Sequence, residues 1–357
     1  MNTTVGNPSR RVNFRHRTVV VRRSRFAVRW QLRSILVCAV LLAATVVVSA
    51  WAVTLGNYPI TLDQVWGALI NDPDVGFART VVVEWRLPRI LAAAVFGAAL
   101  GASGAVFQSL TRNPLASPDI IGFSAGSFTG ALVVIILIGG SYLQVAGGAL
   151  VGGIATAITV YLLAWRGGVQ GFRLIVVGIG LSAVLGSLNT WLMLTAKLDV
   201  AMSAAAWGAG SLNGTTWEQA TIGSGVIVVL TAGLLALAPA MRQLGLGDDA
   251  AKATGIRAEP VRLAVVVLGV ALTATVTAAA GPITFIALAA PQIARRLART
   301  PGVTIIPAAF TGALLLAGAD VIAQHLLPVV LPVGVVTVVV GGGYLVWLII
   351  REVRHRA

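Results

Sequence analysis

The sequence predicts an all-α integral membrane protein, and three observations support this fold class. Of its 357 residues, 57% are hydrophobic and only 11% are charged, whereas soluble proteins carry about 25% charged residues. The mean hydropathy of the chain is +0.90. Ten apolar stretches of near-bilayer length follow one another along the chain. These properties exclude an ordinary soluble domain.

The ten predicted helices occupy most of the chain after residue 33. Hydropathy over a window of about 19 residues places them at 34–53, 87–108, 119–139, 142–164, 173–195, 217–239, 262–281, 283–298, 304–326 and 331–350, the eighth being short. The chain therefore divides into an arginine-rich arm, 1–33, and a ten-helix transmembrane domain, 34–357.

The first apolar stretch is predicted to be a retained helix. It has about 20 residues, enough to span a bilayer, whereas the apolar region of a signal peptide has about 7–15. The preceding arm carries nine arginines. We expect it to be disordered and to lie in the cytoplasm near anionic lipid.

The basic residues predict the orientation in the plasma membrane. With both termini in the cytoplasm, only four of the 26 basic residues fall outside: Arg79, Arg86, Arg89 and Lys197. The rest fall in the arm, in inner loops or at inner helix ends, as the positive-inside rule requires. The net charge of +14 is thus explained by membrane topology, and no nucleic-acid partner is expected.

Several mechanisms are disfavoured by residues that the chain lacks. One cysteine and three histidines offer no metal-binding cluster, and no cofactor is expected. Asp320 is the only acidic residue well inside a predicted span, which disfavours proton coupling. Neither lysine, Lys197 or Lys252, follows a glycine as a P-loop requires. The chain is not expected to be an enzyme, so any ATPase that drives it must be another subunit.

The outer segments and the glycine pattern give more limited predictions. The external segments 54–86 and 196–216 are too long for simple turns, and residues 202–207 suit either a short interfacial helix or a packed loop. Small residues let helices in lipid approach closely. The pattern predicts such packing at Gly97 and Gly101, at Gly148 and Gly152, and at Gly341–Gly343.

Two inner loops are candidates for function. Arg112–Asp119 contains two prolines, so it is either a tight turn or a rigid constriction at the inner mouth of a pathway. The loop 240–259 predicts a short helix with Asp248 as its N-cap, Asp249 at its positive end and Gly255 just past its C-terminus. We interpret this helix as a plug for a partner ATPase rather than as filler.

Several motifs resemble one known family. In order, they are RLPR, RNPLASPDIIGFSAG, GDDAAKATGI, AGPITFIALAAPQIARR and LPVGVVTVVVGGGYLVWLI. They resemble the FecCD family, the permease subunits of ABC importers for iron–siderophores, haem and vitamin B12. The resemblance covers the chain from about residue 30 onward. It implies a type II importer bundle with ten helices per subunit.

The resemblance also implies partners and sites. The partners are two copies of an ATP-binding subunit, a second FecCD permease (a paralogue), an extracytoplasmic siderophore-binding protein and the ferric siderophore itself. Arg86 and Arg89 match arginines that dock the binding protein, while a further docking arginine of the vitamin B12 permease corresponds to Gln324. The family's Pro-His pair in the eighth helix is Pro291-Gln292 here.

The remaining matches lie on the cytoplasmic side. The implied cytoplasmic gate is Asn113, Pro114 and Leu115, and the implied ATPase-coupling loop includes Gly247, Asp248 and Gly255, with the adjoining Asp249. Apart from the resemblance, Asn189, Thr190 and Trp191 are candidates either to line the pathway or to bond a neighbouring helix.

The leading functional hypothesis is an ABC importer permease for a ferric siderophore. Vitamin B12 or haem is the alternative cargo. An ATP-independent secondary transporter and a structural membrane scaffold are the alternatives from other classes.

Overall fold

A computed structural model describes residues 18–356 except 24–25, 166–170, 301 and 303. Helices make up most of this part of the chain. Their bounds are α1 Leu32–Thr54, α2 Leu62–Leu69, α3 Phe77–Thr111, α4 Phe123–Ile138, α5 Tyr142–Ala164, α6 Gly171–Thr195, α7 Leu198–Gly208, α8 Trp217–Leu244, α9 Asp248–Ala253, α10 Ala258–Ala280, α11 Ile286–Ala298, α12 Ile305–Leu326 and α13 Val333–Arg356.

The helices confirm a multi-pass membrane protein, although not the count of ten crossings. Within the described residues, seven helices are long and apolar enough to span a bilayer: α1, α3, α5, α6, α8, α10 and α12. The apolar parts of α4 and α13 are shorter, and α11 has only 13 residues. Each predicted span contains one helix, so the order of elements is confirmed while three crossings rest on short helices.

Helix α3 is the most buried of the seven candidate membrane-spanning helices in the described part of the chain. Of its most apolar window, 72% is buried inside the protein, against 11% for α1 and α6. It begins at Phe77, ten residues before the predicted start, and Thr80–Arg86 is π-helical. Pro88, two residues after this π-helical turn, has no N–H to donate. The wider turn lets the helix continue past the proline.

Glycine pairs bring α3 against α12. A Cβ at Gly101 would collide with the carbonyl oxygen of Ala308, and one at Gly97 would collide with that of Gly312. The pair Gly148 and Gly152 packs in the same way on the backbone of α4. Without a hydrophobic driving force between helices in lipid, such close contact is a main source of association. These predictions are confirmed.

The third glycine prediction is confirmed only in part. Gly341 packs on the Cβ of Phe285, whereas Gly342 and Gly343 have no neighbour within 4 Å in the described part of the chain. A polar contact adds to the packing around α3, because the Ser103 hydroxyl donates to the Gly269 carbonyl on α10 at 2.7 Å.

The arm is not wholly disordered, so that expectation is wrong for part of it. Thr18–Arg23 pairs antiparallel with Phe26–Gln31 as a two-stranded hairpin, β1 and β2. The three consecutive valines in β1 are β-branched and favour a strand. The expectation for residues 1–17 falls outside the described residues.

The outer segments contain helices of their own. Residues 202–207 belong to α7, so the short helix is the correct alternative there. In the other segment, α2 starts with a capping box in which Thr61 and Gln64 each accept the other's backbone N–H. After a short 3-10 turn at Pro73–Val75, the segment ends in the early start of α3.

Candidate functional site

The predicted docking and gate residues lie at the two ends of α3, which are called the outer and inner mouths after the orientation that the sequence predicts. At the outer end, the Arg89 guanidinium holds Asp320 of α12 through Nε at 2.9 Å and Nη2 at 2.6 Å. The two side chains are 18% and 8% exposed. A bidentate pair of this kind is strong and geometrically specific. Asp320 therefore joins α12 to α3.

Arg86 is also held within the chain. Its Nη1 donates to the Val53 carbonyl of α1 at 2.6 Å, and its Nη2 donates to the Tyr58 carbonyl at 2.7 Å. Gly56, with a φ of +131°, passes so close to this guanidinium that a Cβ would meet Nη2 at 2.7 Å. The glycine is required there both by its backbone angle and by its lack of a side chain.

Both predicted docking arginines line one outer cavity of about 480 Å³. Gln324 also lines this cavity and donates to Asn213 Oδ1 at 2.8 Å. It is the residue that corresponds to a further docking arginine of the vitamin B12 permease. Arg89 Nη1 has no hydrogen bond to the described residues, so it keeps donors for an outside group. Docking stays a prediction, since the same arginines already stabilise the chain.

The predicted gate residues form one turn at the inner end. The Asn113 side-chain oxygen accepts the Leu115 N–H at 2.9 Å, and the Asn113 carbonyl accepts the Ala116 N–H at 3.2 Å. Asparagine favours such turns because its side chain mimics a backbone acceptor. Leu115 is 42% exposed at the tip.

Gln292 attaches this turn to α11. Its Nε2 donates to the Pro114 carbonyl at 2.9 Å, and the side chain is buried. One turn earlier on α11, the Leu288 carbonyl accepts from Gln108 of α3 at 2.9 Å and also from Gln292 Nε2 at 3.3 Å. The glutamine in place of the family's histidine thus fixes the turn to the short helix by a hydrogen bond.

A second connection runs from the gate turn to α8. Arg112 ends α3 in the left-handed region, with a φ of 51°, and its Nη2 donates to the Leu244 carbonyl at 3.1 Å. Leu244 is the last residue of α8 and packs with Ala251 and Ala258 on either side of the coupling loop. The gate turn and the coupling loop are therefore joined by one side chain.

In α9, the predicted coupling helix, one predicted role is wrong. Asp248 is not the N-cap but the first helical residue; the N-cap is Gly247, with a φ of +119° that L side chains rarely adopt. Asp249 lies in the first turn of α9, as predicted, where a carboxylate favours the positive end of the helix dipole.

The other end of α9 is as predicted. Gly255 has a φ of +83°, its N–H bonds the Lys252 carbonyl at 2.9 Å, and the Ile256 N–H bonds the Ala251 carbonyl at 3.0 Å. These two bonds form a Schellman motif. Asp249 is exposed on the helix surface, where a partner has access to it.

Asp119 is a half-buried acid that the sequence showed only as the end of a polar hairpin. It lies in the loop before α4, where Oδ1 accepts from the Ser124 hydroxyl at 2.6 Å. Its Oδ2 has no solvent access and no hydrogen-bond partner among the described residues. Desolvation raises the pKa of this carboxyl to about 6, although the hydrogen bond from Ser124 acts to lower it.

The three candidate pathway residues on α6 point in different directions. Asn189 is 6% exposed, and its Oδ1 has no hydrogen-bond partner in the described part of the chain. The Thr190 hydroxyl bonds its own helix at Gly186, and Trp191 is 58% exposed. The helix–helix hydrogen bond through Asn189 Oδ1 is therefore not formed within the described chain.

The fold defines a class of protein, a multi-pass helical membrane protein in which the turn after α3 is hydrogen-bonded to the end of α8 and to α11. The model of the FecCD transport family matches residues 34–351. The chain therefore belongs to the FecCD transport family.

The relatives agree with this assignment. The ferric enterobactin transport system permease protein FepG of Escherichia coli is 48% identical over 325 residues, which cover 91% of this chain and 98% of that protein. The segments WGAGSLNGTTW and FRLIVVGIG resemble that permease, and the identity confirms the resemblance. The achromobactin transport system permease protein CbrC of Dickeya dadantii is 35% identical, with 89% and 91% covered.

A solved structure shares the fold. It is a metal-chelate type ABC transporter in an inward-facing conformation, 26% identical, with a TM-score of 0.77. The match covers 88% of this chain and 99% of that one.

Proposed function

We propose that this chain is the permease subunit of an ABC importer that moves a ferric siderophore across the plasma membrane. The observation that carries the proposal is the 48% identity to a ferric enterobactin permease across 98% of that protein. ATP hydrolysis in partner subunits drives the movement, since neither lysine of this chain has the P-loop context. The chain itself provides the pathway and has no catalytic residue.

The proposed assembly contains two copies of an ATP-binding subunit, a paralogous second permease and an extracytoplasmic binding protein. All ten predicted spans cross the membrane, with α4, α11 and the apolar part of α13, which are shorter, packed among longer neighbours. Both termini lie in the cytoplasm, which the distribution of basic residues supports.

At the outer mouth, Arg86 and Arg89 orient the binding protein. Charges at the rim of an interface steer encounter and set register. Both arginines lie on α3 and share the cavity that opens between α1 and α12. A carboxylate of the binding protein would use the donors that the internal bonds leave available.

At the inner mouth, Asn113, Pro114 and Leu115 restrict exit of the cargo. Movement of α9 when the ATPase binds ATP reaches this turn through Leu244 and Arg112, because the two are joined by a 3.1 Å hydrogen bond. Gln292 carries the same movement to α11. Asn189 would line the pathway only after movement of the surrounding helices, because its side chain is buried within this chain and its amide oxygen has no solvent access.

The coupling role is tested by reversing charge at α9. Asp248→Lys with Asp249→Lys should leave ATPase subunits active while uptake falls, because acids at the positive end of α9 become cations. The matched control is the same reversal at Asp63 and Asp199, two exposed acids on the outer side. Normal uptake in the Asp248/Asp249 variant contradicts the coupling role.

The cargo is tested by growth. Deletion of the gene should abolish iron-limited growth on one or a few defined ferric siderophores and leave growth on ferrous iron intact. Loss of vitamin B12 or haem utilisation, with siderophore use unaffected, would instead support the alternative cargo. No transport phenotype at all would support a structural scaffold.

A further inference from the structure

A second cavity, of about 580 Å³, opens at the inner mouth, beside Pro114 of the predicted gate turn and beside Leu246, which precedes α9. Three arginines line it, each at the end of a different helix: Arg112 after α3, Arg242 in the last turn of α8, and Arg295 in the last turn of α11. The side chains of Ser109 and Thr304 complete a polar lining. The volume lies within the range of about 300–1,000 Å³ that is usual for small-molecule sites.

The charge in this cavity is of one sign. None of its lining residues in the described part of the chain is acidic. Arg112 gives one donor to the Leu244 carbonyl at 3.1 Å, and Arg242 gives one to the Ala238 carbonyl at 3.4 Å. A guanidinium has five N–H donors in a planar fork that suits phosphate oxygens. Most of the donors around the cavity are therefore available to an anion.

Apolar groups also line the cavity. Leu246 is 76% exposed, and Ala105, Pro114 and Pro291 add apolar surface to the lining. An anion that also carries hydrocarbon chains matches a lining that combines three cations with exposed apolar groups.

We propose that this cavity binds the phosphate headgroup of an anionic phospholipid from the cytoplasmic leaflet, with Arg242 and Arg295 as its principal ligands. Basic pockets between helices on the cytoplasmic side are a known mode of headgroup recognition. The assignment to that leaflet rests on the proposed orientation of the chain. The bound lipid would hold the ends of α3, α8 and α11 together beside the gate turn.

The test uses the purified full chain in detergent and follows its unfolding temperature as dioleoyl phosphatidylglycerol is added. Saturable stabilisation gives an apparent Kd. Each arginine near an anionic headgroup contributes about fivefold in affinity. Arg242→Gln with Arg295→Gln should therefore weaken binding about thirtyfold, and Arg242→Lys with Arg295→Lys should retain much of it.

The control pair is Arg257→Gln with Arg299→Gln, which removes two exposed cations that do not line the cavity. The proposal expects its Kd to stay within about twofold. Equal weakening by both pairs, or equal stabilisation by dioleoyl phosphatidylcholine, would overturn it. So would displacement by sn-glycerol 1-phosphate at the same concentration, because the site would then take soluble phosphates. Siderophore uptake does not enter this measurement, so its result is independent of the proposed transport function.

Discussion

Each mouth of the bundle contains an acid with a desolvated carboxylate oxygen, and the two acids have different hydrogen-bond partners. Asp320 at the outer mouth receives a bidentate guanidinium from Arg89. Asp119 at the inner mouth receives a hydroxyl from Ser124, and its other oxygen has no partner in the described chain. The cations of the inner mouth instead line a cavity without acids. The acid of the outer mouth is thus paired within the chain, whereas the cations of the inner mouth remain available to a ligand or a partner.

The difference is consistent with the proposed roles. A surface that a binding protein visits repeatedly benefits from a fixed shape, which preorganises docking. A gate that has two arrangements needs elements whose bonds are not all satisfied in one of them, because a fully satisfied buried network is rigid. The same substitution should therefore have opposite effects at the two mouths.

The largest expected effect is at the outer mouth. Asp320→Asn leaves the Arg89 charge without its partner in a largely buried position. Breaking a buried pair in this way typically costs about 3–5 kcal/mol. We expect a marked loss of unfolding temperature and of folded yield in detergent. The double variant Arg89→Met with Asp320→Leu should recover most of the loss, since it removes both charges; no recovery would show that the pair acts through something other than charge.

The same change at the inner mouth should stabilise the protein. The pKa of Asp119 rises on folding from its ordinary 3.8 to about 6, so the folded state binds its proton more tightly than the unfolded state. Stability therefore falls as pH rises from about 4 to about 6. Asp119→Asn cannot ionise, and above pH 6 it should be more stable than the parent by up to about 3 kcal/mol.

The check is a pair of unfolding curves across pH. Parent and Asp119→Asn should differ least near pH 4, and the gap should open through pH 6 and then stay constant. A difference in stability that is the same at every pH would contradict the raised pKa of Asp119. It would mean that the ionised carboxylate has a compensating partner.

Helix α3 connects the two mouths, and its close packing on α12 should hold it rigid between them. Gly101→Ala places a methyl group against the Ala308 backbone, so we expect a loss of about 1–3 kcal/mol or more. Gly318→Ala on the opposing helix is the matched control, because nothing lies within 4 Å of its Cβ. Similar stability of the two variants would contradict close packing of α3 on α12.

A smaller effect distinguishes two glutamines. Gln292→Ala removes a buried donor from the Pro114 carbonyl, whereas Gln324→Ala removes an exposed bond to Asn213. An unsatisfied buried group costs about 1–3 kcal/mol, and an exposed bond costs much less. Proteolysis at the exposed Leu115 provides the readout: Gln292→Ala should accelerate cleavage of the gate turn, while Gln324→Ala should not.

The parts of this architecture that could be predicted are those encoded locally. Apolar runs of about 20 residues locate helices directly, and the Gly255 end of α9 follows from one residue type at one position. The early start of α3 could not be found in this way, because Arg79, Glu84 and Arg86 interrupt the hydropathy. The position of the short α11 was predicted correctly, but the helix begins at Ile286, three residues after the predicted start. Ile283 and Phe285 are apolar without being helical.

The parts that could not be predicted depend on distant contacts. Arg89 and Asp320 are 231 positions apart, and nothing in either segment signals the other. The arginine-lined inner cavity brings together three helix ends whose charges are explained one by one by the positive-inside rule. Gate and docking residues came from the family resemblance, and the structure shows what each of them contacts within the chain.

The most direct test of the account is uptake of a ⁵⁵Fe-labelled siderophore by proteoliposomes. They would contain this permease, its second permease and the ATP-binding subunits, with the binding protein outside and ATP inside. The account predicts accumulation that requires ATP, the binding protein and an ATP-binding subunit able to hydrolyse ATP. Uptake at the full rate in vesicles without the ATP-binding subunits would contradict it and identify a secondary transporter.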